Sequence, residues 1–514
     1  MNGRKNLCFT LDGTLVTVPD DGSTLLDVLR NQLKITSIKD GCSPQGQCGC
    51  CTVLVDGQPR VSCVTPTRRI ANRVITTLSG LDSDITQGWV DAFCATGASQ
   101  CGFCTPGIIM RFASLQSNCS DGQVPDRERV SRALGAHLCR CTGWQTILDA
   151  WDAYGTDCLI SDPDQAAARA SIEGRNPQAS GQQVTLGGGG FAADVAPEDC
   201  LIAIPNGTGD WIVANTLTEA RAVANKVQGR RTTAIAVPPL EIPKGDWDAI
   251  LRTSWVEPAY LETDASWCEP GGEPASPLAN GGAFGGKKTS VVSTAARQLA
   301  DQYGKPVLVL FSREDTVRNG PKRPPVAGGA NADGQGVLRV VRTAGISEAI
   351  NAVAPGLIVE EVEIPGPPTS ANIRAAGWAE ALVLLTGSRG TNEPVISPDG
   401  AIATAEVSDD RIAVTVKCGD PLDEVVLHSY CIGAAHMAWS WVTSEALTVD
   451  ADGVPLDLTI RSFNIVRASE TPHIDVQIKA DDGKPVNGSD AVFTAVAGAT
   501  WLHKGVPADW PTGL

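Results

Sequence analysis

Residues 41–57 read GCSPQGQCGCCTVLVDG, and this stretch decides the fold of the first part of the chain. It places Cys42, Cys48 and Cys51 in one glycine-rich loop, and Cys63 follows farther along the chain. Four thiolates suit a [2Fe–2S] cluster, because soft sulfur donors neutralise ferric charge in tetrahedral geometry. The loop glycines let the backbone wrap such a cluster and direct N–H groups at its sulfurs. The loop therefore predicts an iron–sulfur site.

A structural zinc site is the alternative for this loop, since zinc held by four cysteines also uses short spacings. Zinc sites usually pair two short hooks, whereas here three cysteines share one loop and Cys63 stands apart. This distribution favours iron–sulfur over zinc. Cys50 also lies in the loop, and we expect it not to be a ligand.

A second group of cysteines consists of Cys101 and Cys104, followed by Cys139 and Cys141. The spacing Cys-x-Cys is awkward for zinc but fits two loops that converge on one cluster. Each pair precedes a predicted helix, so helix N-termini would point toward a negatively charged centre. These residues predict a second [2Fe–2S] site.

The hydrophobic pattern around the cysteines indicates a small sheet followed by helices. Strand-like runs at 7–11, 15–18, 52–55 and up to Cys63, with a helix after Ser23 or Thr24, suit a small mixed sheet folded around the loop. From about residue 82 the period changes, and we predict four helices in a compact bundle, at 84–94, 106–118, 127–137 and 144–157.

The rest of the chain is less regular. Residues 161–183 are polar and small and lack apolar periodicity, which predicts a linker. Residues 184–514 are rich in Gly, Pro, Val and Ala, with short strand-like runs at 307–311 and 412–416, which predicts a mixed α+β region. We therefore expect domains at 1–80, 81–160 and 184–514.

The composition of the 514 residues narrows the function. A net charge of −17 argues against nucleic acid and anionic membrane surfaces as partners. No run of 18 apolar residues exists, and the first residues lack the apolar stretch of a signal peptide. Most of the 17 cysteines cluster between Cys42 and Cys141, which indicates metal binding in a compartment that keeps thiols reduced. We expect a cytoplasmic protein without a transmembrane segment.

Three stretches together resemble the two-cluster iron–sulfur module of the xanthine dehydrogenase/aldehyde oxidase (molybdenum hydroxylase) family. They are GCSPQGQCGCCTVLVDG, QCGFCTPGIIM (100–110) and CRCTGW (139–144), and the resemblance covers about the first 150 residues. It implies an α+β multidomain protein that begins with a β-grasp, plant-type ferredoxin domain and a four-helix-bundle [2Fe–2S] domain. The loop has five residues between Cys42 and Cys48 where the family has four, so we expect it to bulge.

The resemblance also implies roles and partners. The cluster nearer the flavin would be held by Cys42, Cys48, Cys51 and Cys63, and the cluster nearer molybdopterin by Cys101, Cys104, Cys139 and Cys141. Gln100 and Cys139 match positions beside the pterin. The family sends electrons from molybdenum through the second cluster and then the first to FAD. No stretch here matches the family's FAD domain, so an FAD-binding subunit is an expected partner.

The region after residue 184 resembles the family's molybdopterin-binding part in abbreviated form. NGGAFGGKK (280–288) matches its glycine-rich loop, which implies pterin contacts from Gly281, Gly282, Phe284, Gly285 and Gly286. WVEPAYLE (255–262), SREDTVR (312–318) and the closing section from 471 match neighbouring segments. A retained scaffold loop without cofactor is the alternative. In that case we expect molybdopterin on a large catalytic partner subunit, with this chain as a candidate for contacting it there.

The family has a catalytic glutamate in a Gly-x-Gly-Glu stretch near its C-terminus. The nearest match is Gly488-Ser489-Asp490, which makes Asp490 a candidate base, although its side chain is one methylene shorter than glutamate. A surface or capping role is the alternative for Asp490. Arg374 and the Lys322-Arg323 pair are candidates for facing an anionic cofactor or partner, but solvated charge is the commoner outcome and the one we expect.

Three functions follow from these observations. The preferred one is an iron–sulfur electron-transfer subunit of a molybdenum-hydroxylase-type oxidoreductase, whose molybdopterin-like region is a scaffold. The second is a self-contained minimal molybdenum hydroxylase acting on an aldehyde or an N-heterocycle. The third is an iron–sulfur redox sensor or interaction module. Molybdenum on the isolated chain separates the first two, and electron transfer to a flavin partner separates both from the third.

Overall fold

The chain begins with a five-stranded mixed sheet, shown by a computed structural model that describes residues 6–118, 124–156, 161–224, 231–275, 282–479 and 481–514. In the spatial order β2-β1-β5-β3-β4, its strands are β1 (Asn6–Leu11), β2 (Thr14–Pro19), β3 (Thr52–Val55), β4 (Gln58–Val61) and β5 (Val74–Thr76). β1 and β2 pair as an antiparallel hairpin. A π-helix at Asp27–Gln32 buries Val28 and Leu29.

Four helices follow the sheet, as predicted: α1 (Ser83–Thr96), α2 (Thr105–Ser117), α3 (Arg127–Ala133) and α4 (Gln145–Ala153). The Asp82 carboxylate caps α1 and the Asp126 carboxylate caps α3, because each accepts a hydrogen bond from a free N–H of the first turn. The helices meet around Trp89, whose ring packs on Phe112 and Trp151. The predicted helix ends differ from the observed ones by a few residues.

The structure differs from the linker predicted over 161–183. Residues Pro163–Gly174 form helix α5, which the Asp162 side chain caps. Arg169 of this helix is fully buried and donates hydrogen bonds to the carbonyl oxygens of Pro421, Asp420 and Val486. The buried face of this helix combines two small residues, Ala166 and Ala170, with the charged Arg169 and Glu173, so the sequence shows no strong apolar periodicity.

The remainder of the chain contains twelve further strands and eight further helices within the described residues. The strands are β6 (Leu201–Pro205), β7 (Trp211–Ala214), β8 (Ala249–Arg252), β9 (Ala265–Cys268), β10 (Val307–Leu310), β11 (Val326–Ala330), β12 (Gly336–Val341), β13 (Leu357–Val362), β14 (Val395–Ile396), β15 (Ile402–Val407), β16 (Arg411–Lys417) and β17 (His473–Ile478). The helices are α6 (Gln182–Thr185), α7 (Leu217–Ala224), α8 (Val292–Tyr303), α9 (Arg313–Asn319), α10 (Ile346–Asn351), α11 (Trp378–Arg389), α12 (Glu424–Thr443) and α13 (Ser489–His503).

These strands form three four-stranded sheets, with the orders β7-β6-β10-β9, β13-β12-β11-β8 and β14-β15-β16-β17. Helices α12 and α13 are apolar and buried on nearly all sides, and they pack on each other. One connected core of buried side chains extends from Phe9 to Trp510, so α12 and α13 share it with the first sheet and the four-helix bundle. In the described parts of the chain, no helix is both long and apolar enough to cross a membrane.

Candidate iron–sulfur sites

The first group of cysteines converges at the end of the five-stranded sheet. The thiols of Cys48, Cys42, Cys63 and Cys51 contact one another in that order. Hydrogen bonds from Cys48 and Cys63 hold the pKa of the Cys42 thiol well below its ordinary value. The main-chain N–H of Gln45 also donates to the Cys42 sulfur over 3.0 Å. A main-chain N–H group of the loop therefore stabilises negative charge on the Cys42 sulfur, as the glycine-rich sequence predicts.

The second group lies where the loops before α2 and α4 meet. The Cys101 and Cys141 sulfurs are 3.6 Å apart, and the Cys139 thiol contacts both Cys141 and Cys104. Hydrogen bonds from Cys104 and Cys141 hold the pKa of Cys139 well below the ordinary thiol value. Cys104 is the residue directly before α2, so the N-terminus of that helix faces the group and favours negative charge there.

The arrangement of the thiols agrees with a binuclear cluster. Two thiolates on one tetrahedral metal stand about 3.8 Å apart when the metal–sulfur bonds are about 2.3 Å, close to the observed Cys101–Cys141 separation. All eight candidate cysteines are at most 5% exposed, and the cysteines of the described chain are free of disulfides. Within the described ranges, no three or more His, Cys, Asp or Glu side chains are arranged around a position for one metal ion.

The two cysteine groups are neighbours. A Cβ atom on Gly49, whose φ is +72°, would lie 2.4 Å from His137 Nδ1, so only glycine permits this approach of the first loop to the segment before Cys139. The Cys50 thiol contacts Cys48 and lies within electrostatic range of Cys139. Cys50 therefore stands between the two groups rather than within either.

Comparison with known proteins agrees with this geometry. Residues 9–79 match a family model described as 2Fe-2S iron-sulfur cluster binding domain, and residues 77–152 match one described as [2Fe-2S] binding domain. The nicotine 6-hydroxylase small subunit of Paenarthrobacter nicotinovorans is 43% identical over 132 residues, which cover 26% of this chain and 77% of that protein. The chain belongs to the molybdenum hydroxylase family.

Other members of the molybdenum hydroxylase family match over different shares of their length. The nicotinate dehydrogenase small FeS subunit of Eubacterium barkeri is 38% identical over 26% of this chain and 82% of that protein. Xanthine dehydrogenase of Blastobotrys adeninivorans is 31% identical over 38% of this chain, but the match spans only 15% of that enzyme.

The fold of the whole chain also has a known counterpart. The aldehyde oxidoreductase of Desulfovibrio desulfuricans superposes with a TM-score of 0.72 at 14% identity, covering 99% of each chain. This likeness concerns the fold alone, and it confirms the predicted α+β multidomain architecture, including the region after residue 184.

The glycine-rich loop proposed for the pterin is closely packed in the described residues. Gly281 lies outside them. A Cβ atom on Gly282 would lie 3.0 Å from Arg140 and 3.3 Å from the Cys141 sulfur, and one on Gly285 would lie 2.0 Å from the Asn372 carbonyl oxygen. A Cβ atom on Gly286 would likewise lie 3.0 Å from the Ala283 carbonyl oxygen.

The side chain of Phe284, in the same loop, is covered by another residue. The Arg374 guanidinium lies 3.8 Å from the centre of the Phe284 ring. The cavity beside Gly282 and Phe284 measures about 30 Å³. That is the volume of about one water molecule, and cofactor sites are usually ten times larger or more. The described residues of this loop do not fit a pterin.

The other predicted pterin contacts are Cys139, which belongs to the second cysteine group, and Gln100, which lies beside that group. The Gln100 amide donates to the Cys141 carbonyl oxygen over 3.0 Å and to the Ser429 hydroxyl over 2.9 Å. Gln100 also lines a cavity of about 280 Å³, whose described lining contains no Lys or Arg. This cavity offers no cation to an anionic cofactor.

Asp490, the candidate base, lies in the first turn of α13 and is only 2% exposed, so a surface position is excluded. Its carboxylate forms ion pairs with Arg175 and Arg374, the latter at 3.2 Å. Both of its ion-pair partners are guanidinium groups of this chain, so the carboxylate is engaged within the fold. The geometry supports a structural role.

The charged residues near the glycine-rich loop are buried, and the expectation of solvent exposure for them is wrong. Lys322 pairs with Glu257 at 2.8 Å, Arg323 pairs with Glu380 at 2.7 Å, and Arg374 is 1% exposed. Sequence reasoning also missed Arg140, which forms two hydrogen bonds of 2.6 and 2.7 Å with Glu445. These partners are far apart in sequence, so no local pattern pairs them.

Proposed function

We propose that this chain is the iron–sulfur electron-transfer subunit of a molybdenum-hydroxylase-type oxidoreductase. The residues that would hold one [2Fe–2S] cluster are Cys42, Cys48, Cys51 and Cys63, and those for the other are Cys101, Cys104, Cys139 and Cys141. A [2Fe–2S] cluster supplies one-electron transfer when bound. Electrons would pass from a molybdopterin centre on a large catalytic partner subunit to FAD on another partner chain.

The convergence of eight buried thiols into two groups is the observation that carries this proposal. Around these thiols the chain excludes water, and Gln45 and the N-terminus of α2 direct N–H groups and positive potential at sulfur. The short contacts between the groups through Gly49 and Cys50 suit electron transfer from one to the other. The retained cysteines also suit a cytoplasmic location, where thiols stay reduced.

The region after residue 184 is proposed to be a scaffold that does not itself hold molybdopterin. Its glycine-rich loop is closed by the Phe284–Arg374 stack, and Asp490 is engaged by Arg175 and Arg374. Since family members share this fold, the region would pack on the catalytic partner much as one subunit packs on another. Burial of the loop in the chain's own core supports this role.

Metal analysis of the chain, purified alone and with its partners, tests the proposal. About four iron per chain, with molybdenum present only when a large partner co-purifies, is the expected result. One molybdenum on the isolated chain would instead favour a self-contained minimal molybdenum hydroxylase. Zinc in place of iron would leave only an interaction module.

A further inference from the structure

The loop of the first cysteine group forms hydrogen bonds with a segment more than 400 residues away in sequence. The Gln45 side chain donates to the Leu458 carbonyl oxygen over 2.8 Å and accepts from the Ile460 N–H over 3.2 Å. Arg461 reaches the same loop twice, since its main-chain N–H donates to the Gln47 side chain and its Nε donates to the Gln47 carbonyl oxygen over 3.0 Å. Hydrogen bonds to residues 458–461 therefore hold the tip of the loop in place.

Arg461 also touches the segment that leads to the second cysteine group. Its Nη2 donates to the Gly135 carbonyl oxygen over 2.7 Å, four residues before Cys139. One guanidinium thus bridges the two segments that carry the cysteines. The half-buried Arg461 lies close enough to the Cys42 and Cys48 thiols for an electrostatic interaction.

A second arginine forms a hydrogen bond with the other end of the same loop. Arg313, at the start of α9, is 0% exposed, and its Nη2 donates to the carbonyl oxygens of Gly41 and Leu261 over 2.6 and 2.8 Å. Its Nε and Nη1 have no hydrogen-bond partner among the described residues. In the described chain, neither Arg313 nor Arg461 has a carboxylate oxygen within 4.0 Å, and the buried Asp264 lies within longer electrostatic range of Arg313.

Buried charge of this kind is costly unless an opposite charge lies nearby. The loop between the two arginines carries the thiols that would hold the first cluster, and a [2Fe–2S] cluster on four thiolates would be an anion in either redox state, with one more negative charge when reduced. Cations beside it stabilise the reduced state more than the oxidised state, because the Coulomb attraction grows with the charge. The position of the arginines therefore bears on the reduction potential.

We propose that the C-terminal region sets the first centre's reduction potential through Arg313 and Arg461, which hold its loop and raise that potential. This inference rests on the proposed electron-transfer function. It gives the scaffold region a role in the direction of electron flow, because a higher potential at the first centre draws electrons from the second. Arg313 and Arg461 are positioning residues rather than ligands, since they hold the loop by hydrogen bonds and place their positive charge beside it.

An EPR-monitored redox titration of the full chain with dithionite tests the inference. In Arg461→Gln we expect the ratio of reduced to oxidised first centre, at a fixed electrode potential, to fall about tenfold, a shift of about 59 mV for one electron. The second centre should keep its potential. Arg461→Lys, which keeps the charge, should restore most of the shift, and Arg342→Gln, at an exposed arginine paired with Glu363, should change neither centre.

A first-centre potential equal to that of the unaltered chain in Arg461→Gln, with four iron retained, would overturn the inference and leave the electron-transfer function intact. If the Arg461→Gln variant loses iron, the potential of the first centre is measured in the Gln47→Glu variant instead. This near-isosteric change adds a negative charge at the same contact, and we expect it also to lower the first centre's potential, whereas an unchanged potential would refute the proposal. Absence of two reduced signals in the unaltered chain would refute the function itself.

Discussion

The main-chain N–H of Leu138 donates a hydrogen bond of 2.9 Å to the carbonyl oxygen of Cys48. Cys48 belongs to the first cysteine group, and Leu138 directly precedes Cys139 of the second. One hydrogen bond and two short stretches of main chain therefore connect the two groups. This hydrogen bond fixes the spacing between the two loops.

Replacement of a cysteine in one group should remove one centre only. In Cys141→Ser we expect one of two distinguishable reduced-state EPR signals to disappear, because serine oxygen is a poor substitute for a thiolate on iron. The other signal should persist, with about half of the iron. Cys50→Ser is the matched control, since Cys50 lies between the groups, and it should keep both signals. A single signal that Cys141→Ser leaves unchanged would contradict the assignment of two centres.

Gly49→Ala should weaken the iron–sulfur module. The residue has φ of +72°, and its new Cβ would meet His137 at 2.4 Å and the Ala136 carbonyl oxygen at 2.9 Å. Gly57→Ala separates the two effects, because Gly57 has φ of +75° but open space around it. We expect Gly57→Ala to cost roughly 1–2 kcal/mol in free energy of unfolding, and Gly49→Ala to cost more and to lose iron. Equal costs in denaturant titrations would show that the His137 contact is unimportant.

Asp490→Ala should affect folding more than turnover. Removal of one partner of a buried ion pair costs about 3–5 kcal/mol, because Arg374 is left buried and uncompensated. Asp490→Asn keeps the shape and should cost less. We expect turnover of the assembled complex, expressed per folded chain, to stay nearly unchanged in Asp490→Asn. A loss of several orders of magnitude, with melting unchanged, would make Asp490 a catalytic residue after all.

Glu262 should make the stability of the chain fall as pH rises. Burial raises the pKa of its carboxyl from 4.5 to about 7, although Lys287 beside it lowers the pKa. Between these pH values the unfolded chain releases the proton while the folded chain retains it, so the free energy of unfolding decreases with pH. Glu262→Gln should flatten this dependence in denaturant titrations at pH 5, 6, 7 and 8. Glu360→Gln, at an exposed ion pair, should leave the slope unaltered.

The cysteine groups could be predicted from sequence because their information is local. Three cysteines of the first group share one loop, and the helices beside the second group carry their own caps, such as Asp126 at α3. The contacts of the C-terminal region could not be predicted in this way, because they join residues far apart in sequence. Arg374 and Phe284 are far apart in the chain, and only the fold brings the guanidinium onto the ring. The glycines at 282–286 indicated a close approach, but not that a side chain of the same protein makes it.

The buried end of α5 limits how this polypeptide can be divided. Glu173 accepts hydrogen bonds from the main-chain N–H groups of Gly488 and Ser489, at 3.0 and 2.9 Å, so the first turn of α13 depends on it. If the chain were divided just before residue 163, Glu173 and α13 would stay on the same polypeptide, and this contact would be kept. A cut after residue 174 would place Glu173 and α13 on different polypeptides, and their reassembly would bury a charge at the new interface. A gene fission that frees the iron–sulfur module is therefore far easier on one side of this helix than on the other.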